Sequence, residues 1–215
     1  MEEQILIHQS ADHIVFQSPR LALAFQRDPE HARWSHAVSL SDQADLSSPI
    51  ASSLEWHTES ESAEHDRVLS PVYQDLRVER QADGSAIVFA LGKSGPHHFA
   101  STFHMTLGDQ TQAHSETRIE IDVADRCSTP FEWLAATYAI HAPASRLAWA
   151  TDSGASWEWP ASHGLLVLES APATADNQQC AVAEAGRAAC RAQIITPANP
   201  RKATQRLIYR FLARS

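Results

Sequence analysis

The chain has 215 residues, 43% of them apolar, which is enough for a buried core, and 17 basic against 26 acidic side chains give a formal net charge of −9. That balance argues against binding a phosphate backbone, and no apolar run approaches the roughly 20 residues that cross a bilayer, so neither nucleic acid nor membrane is an expected partner. The opening stretch carries Glu2 and Glu3 where an export signal would be positive, and His8, Gln9 and Asp12 break its apolar run, which reads as a cytoplasmic protein.

Period-two alternation bounded by turn residues runs through most of the chain. Residues 20–25 and 33–40 flank Asp28-Pro29 and read as a hairpin. Residues 41–70, rich in Ser, Asp and Glu, with five acidic side chains from Glu55 to Asp66, read as a long exposed acidic loop. Two further strands flank Asp83-Gly84, whose positive φ suits a tight turn. Residues 97–107 then lead through a polar loop into TRIEIDVADR, residues 117–126. There Ile119, Ile121 and Val123 share one face, and Arg118, Glu120, Asp122 and Ala124 share the other.

Residues 130–141 carry Thr129 as an N-cap, Pro130 at the first helical position and Glu132 at the capping-box position, which favours a short helix over a strand. Five short apolar runs follow between residues 146 and 196 at strand spacing. Residues 204–214 fit either a helical stripe or a closing strand; aromatic and β-branched content tips them to a strand with Leu207, Tyr209, Phe211 and Ala213 on one face. The expected fold is mainly β: one domain over 1–215, a large antiparallel sandwich of about ten strands with one or two short helices. An α+β fold and a closed antiparallel barrel are the alternatives.

Candidate chemistry starts from histidine. His98 and His104 share a strand face and His97 takes the other, but six residues at about 3.3 Å each separate the pair by roughly 20 Å, too far for one ion. The cupin pattern of His-x-His followed by Glu is absent, so no metal and no other cofactor is expected. A general acid–base set can be drawn from His98, His104, Glu120 and Asp122, with Asp125 and Arg126 just beyond; the competing reading is a ladder of ion pairs, each contributing about 0–1 kcal/mol. Trp157 and Trp159 in SWEW offer flat apolar faces on which a sugar ring can stack, or else they fill a core. After Glu184 the last 31 residues hold seven basic side chains and no acidic one. Arg206, Arg210 and Arg214 therefore either pair with carboxylates elsewhere in the sheet or capture an anion; Arg126, Arg206 and Arg210 join the two tryptophans as candidate ligand-binding residues.

Three cysteines without an export signal read as reduced thiols, although Cys180 and Cys190 flank a hairpin tip and can face each other. No nucleophile elbow, phosphate loop or dinucleotide fingerprint is present. Two functions remain. The first is a non-catalytic binding or interaction module for a sugar or another small polar ligand. The second is a sugar-modifying acid–base enzyme, mutarotase-like by analogy of architecture alone.

Overall fold

A computed structural model describes residues 4–41, 49–53, 68–69, 71–95, 97–108, 116–126, 133–141, 146–151, 154–159, 164–170, 178–183, 187–193 and 204–214, some of them by backbone placement only. These form seventeen strands: β1 (Leu6–Gln9), β2 (His13–Gln17), β3 (Leu21–Asp28), β4 (Arg33–Leu40), β5 (Ala51–Ser53), β6 (Val68–Leu69), β7 (Asp75–Arg80), β8 (Ala86–Ser94), β9 (His97–Leu107), β10 (Thr117–Arg126), β11 (Trp133–Ile140), β12 (Arg146–Thr151), β13 (Gly154–Trp159), β14 (Gly164–Ser170), β15 (Gln178–Ala183), β16 (Arg187–Gln193) and β17 (Thr204–Arg214). One sheet runs β1-β2-β3-β4-β5-β11-β16-β15, with β6 lying parallel on β11; the other, antiparallel throughout, runs β12-β13-β14-β17-β10-β9-β8-β7. Neither order closes on itself, so this is a sandwich and not a barrel.

Alternation sets the inner face of the second sheet. Ile119, Ile121 and Val123 on β10 are each 0% exposed, and burying each contributes about 1.5–3 kcal/mol. Phe103, Ile121 and Tyr209 form one continuous row across β9, β10 and β17. Aromatic side chains join this face to the other sheet. Phe25 of β3 meets Phe103 edge-on at 5.0 Å, and Tyr138 of β11 meets Phe211 at 5.1 Å. Such contacts add about 0.5–1.5 kcal/mol beyond area burial.

The closing strand at residues 204–214 is present, with Leu207, Tyr209, Phe211 and Ala213 all buried. The helix expected at 130–141 is not: Trp133–Ile140 is β11. It pairs with β16 over seven residues and with β5 over three, so it sits where a sheet would otherwise be open on both sides. Filling those two ladders outweighs a local capping signal. No described residue is helical, and the seventeen strands exceed the ten anticipated; only β1, β5 and β6 are as short as two to four residues. Inside the span read as an acidic loop, Ile50 and Ala51 are buried and β5 and β6 are strands; residues 42–48, 54–67 and 70 lie outside the described residues.

Two backbone features pin the margin of the sandwich. Trp34 N donates to Tyr73 O at 2.8 Å, and Gln74 N donates to Leu91 O at 2.8 Å, so residues 73–74 stitch β4 of one sheet to β8 of the other. Gly92 lies under this crossing, where a Cβ would stand 1.6 Å from the Val72 carbonyl oxygen. At the β7–β8 turn, Gly84 alone takes a positive φ, +83°, and its N–H donates to Gln81 O at 3.1 Å. Asp83 there keeps a negative φ, so the turn needs one left-handed residue rather than two.

Candidate functional site

The β9–β10 register places the anticipated acid–base residues in order along the outer face of the second sheet. His104 stands opposite Glu120, Thr102 opposite Asp122 and His98 opposite Arg126. His104 and Glu120 are therefore direct cross-strand neighbours, with Cβ atoms about 4.5–5.5 Å apart. His104 Nε2 also lies 3.1 Å from Ser85 Oγ on the neighbouring strand's approach. His98 is six residues along the strand, exposed, and in register with Lys93 and Arg126. The geometry joins His104 with Glu120 and leaves His98 apart.

Asp122 has a different companion. Arg206 Nε donates to its Oδ1 at 2.7 Å, with a second guanidinium bond to Oδ2. Next along β17, Arg210 Nε donates to Glu169 Oε1 at 2.6 Å, and Arg214 Nε donates to Glu116 Oε2 at 2.7 Å. The excess positive charge at the end of the chain is thus spread as a ladder onto carboxylates of β10, β14 and the approach to β10. Arg126 is exposed at the end of β10. Trp157 and Trp159 are two apart on β13, with Trp157 in register between Leu147 and Leu166, and their side chains lie outside what is described.

Beyond His104 and Glu120 the same face opens into a cleft of about 390 Å³, lined by Asp83, Ser85, Thr106, Gly108, Glu116 and Arg118. Thr106 is two residues from His104 and Arg118 two from Glu120, so the cleft extends the row that those residues begin. Asp83 forms one wall. Its Oδ1 accepts the Ser85 N–H at 2.9 Å, and hydrogen bonds from the Ser85 hydroxyl and N–H hold the carboxyl below its ordinary range. Among the described residues Arg118 has no ion-pair partner, and it lines the cleft together with Asp83 and with Glu116, whose carboxylate is paired with Arg214. No three His, Cys, Asp or Glu side chains converge as a metal site among the described residues.

A second polar constellation faces inward. Asp125 continues the parity of Ile119, Ile121 and Val123, so it enters the core with a side chain that is 0% exposed. His97 Nδ1 lies 2.9 Å from its Oδ2, and the imidazole stacks on Phe99 at 6.1 Å between ring centroids. Burial pushes the Asp125 carboxyl above its ordinary value, opposed by the His97 hydrogen bond and charge and by the His98 N–H. Its Oδ1 has no hydrogen-bond partner among the described residues. Deeper in the core, His36 Nε2 meets Tyr138 Oη at 2.7 Å and Tyr138 Oη meets Tyr209 Oη at 2.6 Å, a buried relay linking the sheets. The sequence pattern sets Asp125 just beyond the charged face of β10, whereas it is buried against His97, and the His36–Tyr138–Tyr209 group was not anticipated. Parity alone could have found them, since His36 lies between Trp34 and Val38 on an inward face.

No protein-family model and no curated protein matches the chain. Among solved structures, "Putative kojibiose phosphorylase from human microbiome" is similar at 6% identity and a TM-score of 0.37, covering 100% of this chain and 33% of that one. The chain thus spans about a third of that neighbour's length. A likeness this low carries no argument about activity. What is established is a mainly β fold of two facing sheets, and no helix among the described residues is long and apolar enough to cross a membrane.

Proposed function

We propose that the chain is a non-catalytic binding module for a small, neutral, polyhydroxylated ligand, a sugar being the natural class, seated in the cleft between the β7–β8 turn and the ends of β9 and β10. The carrying observation is the lining: carboxylates of Asp83 and Glu116 accept from hydroxyls, the Arg118 guanidinium donates, and Ser85 and Thr106 do either. Asp83 is held ionised by Ser85, which keeps it an acceptor at neutral pH. Arg126 stands eight residues along β10 from Arg118, roughly 26 Å, and Trp157 and Trp159 lie three strands from β10, so these and the ion-paired Arg206 and Arg210 belong to a separate candidate surface rather than to this cleft. The test is a thermal-shift screen with neutral mono- and disaccharides, followed by calorimetry on hits. An Arg118→Ala variant is expected to weaken binding by about tenfold or more, the loss of one charged hydrogen bond. Binding unchanged in that variant, or no hit in the sugar panel, would overturn the assignment.

The second reading, acid–base chemistry on a sugar, rests on one observation: His104 and Glu120 are adjacent at the mouth of the cleft. His98, six residues along β9 from His104, and Asp122, held by Arg206, stand outside this pair. Anomer exchange followed by NMR separates the two readings, because a binding module broadens sugar signals without accelerating interconversion. Acceleration lost in a His104→Gln variant would favour the enzyme.

A further inference from the structure

The β15–β16 hairpin brings two of the three cysteines into register. Cys180 is the direct partner of Cys190, third in a run of six consecutive pairs from Gln178↔Ala192 to Ala183↔Arg187 with no register shift. Directly opposed residues in an antiparallel pair have Cα atoms about 4.5 or 5.5 Å apart, and both spacings fall within the range a disulfide spans. The placement is specific, because a slip of one residue would put the two positions on opposite faces.

We propose that Cys180 and Cys190 are a redox-modifiable pair that closes to a cross-strand disulfide and clamps the β15 edge of the first sheet. Two features support this. Among the described residues β15 is the last strand of its sheet, bonded in that sheet to β16 alone, and it lies against β12, β13 and β14 at the margin where the two sheets meet. The hairpin is rich in alanine, with Ala181↔Ala189 and Val182↔Ala188 as its neighbouring pairs, and small side chains fix register weakly.

The reaction is thiol–disulfide exchange with a low-molecular-weight disulfide as oxidant. One protein thiolate attacks a sulfur of that disulfide, forming a mixed disulfide and expelling one small thiolate; the opposed protein thiolate attacks the protein sulfur of the mixed disulfide and expels the second. Two protein thiols are oxidised and one small disulfide is reduced to two small thiols.

The test uses the full chain carrying Cys127→Ser, fully reduced, then exposed to oxidised glutathione and followed by thiol titration and intact mass. Both thiols should disappear with loss of two hydrogens and no retained adduct. Native chain should close at least about tenfold faster than chain unfolded in urea, because register supplies the proximity. The oxidised form should melt higher than the reduced form by about 2–10 °C. With Cys190→Ser added, a single glutathione should remain on Cys180. Glutathione retained on both cysteines of the Cys127→Ser chain, disulfides only between chains, or equal closure rates in urea would each overturn the proposal. None of these readouts depends on the sugar-binding cleft.

Discussion

Asp125 offers the sharpest test of how this fold handles charge. Its side chain is wholly buried, its carboxyl is pushed upward mainly by that burial, and His97 is its side-chain partner at 2.9 Å. A folded value above the unfolded one, near 3.9, means that the folded chain binds more protons between the two values. Stability therefore falls as pH rises through that window, and the loss is complete above the folded value. In Asp125→Asn this slope should vanish. The amide oxygen can still accept from His97 and the new NH₂ replaces an oxygen that lacked a described partner, so stability at pH 8 should change by less than about 1 kcal/mol. His97→Ala does the opposite. It strands a buried carboxylate, which costs about 3–5 kcal/mol at pH 8 when the partner of a buried pair is removed. Lowering the pH lets that stranded carboxyl protonate, so the cost should shrink from pH 8 to pH 4.5 towards the about 0.5–1.5 kcal/mol of the lost contact with Phe99. Urea unfolding of both variants and the parent at pH 4.5 and 8 measures all of this. If Asp125→Asn lost more than 3 kcal/mol at pH 8, or kept the parent's slope, the carboxylate would be gaining from the fold and the reasoning would be refuted.

Three further outcomes follow from particular contacts. Gly92→Ala forces a Cβ into the Val72 carbonyl and should cost about 1–3 kcal/mol or more in chemical denaturation, because the atom in the way is backbone. Ala32, at a φ of 51°, is a left-handed residue with a side chain; Ala32→Gly should gain about 0.5–1 kcal/mol, read as a rise in melting temperature. Tyr138→Phe removes the hydroxyl shared by His36 and Tyr209 and should cost about 2–4 kcal/mol, whereas Tyr209→Phe should cost about 1–2, a difference that urea titrations of the two variants resolve.

The strands were legible where polar and apolar residues alternate and one side faces the core. TRIEIDVADR shows this best: Ile119, Ile121 and Val123 are all 0% exposed, and their intervening neighbours are not. β11 was illegible for the opposite reason. Alanine at three of its eight positions suits a helix as well as a strand, and the deciding ladders to β5 and β16 come from residues far away in sequence. The row of His104, Glu120, Thr106 and Arg118 could be read as one face, but its opening beside Asp83 required the β7–β8 turn to be placed. Charge pairing was only half visible. The basic end of the chain demanded acidic partners, yet which arginine meets which carboxylate depends on β17 lying between β10 and β14.

That position of β17 also bears on function. On the outer face Arg206, Arg210 and Arg214 each face a carboxylate, so those acids have a fixed positive neighbour and are poorly arranged to trade protons with a substrate. Glu120 differs in that it stands between His104 on β9 and Arg210 on β17, and the Arg210 guanidinium is bonded to Glu169. A Glu120→Gln variant therefore discriminates the two readings of the cleft. Binding of a neutral sugar should persist within about threefold, because the amide keeps one acceptor and Arg118, Asp83 and Glu116 are untouched. Should Glu120→Gln instead abolish anomer exchange while leaving the binding isotherm intact, the carboxylate would be moving a proton, and the module would have to be called an enzyme.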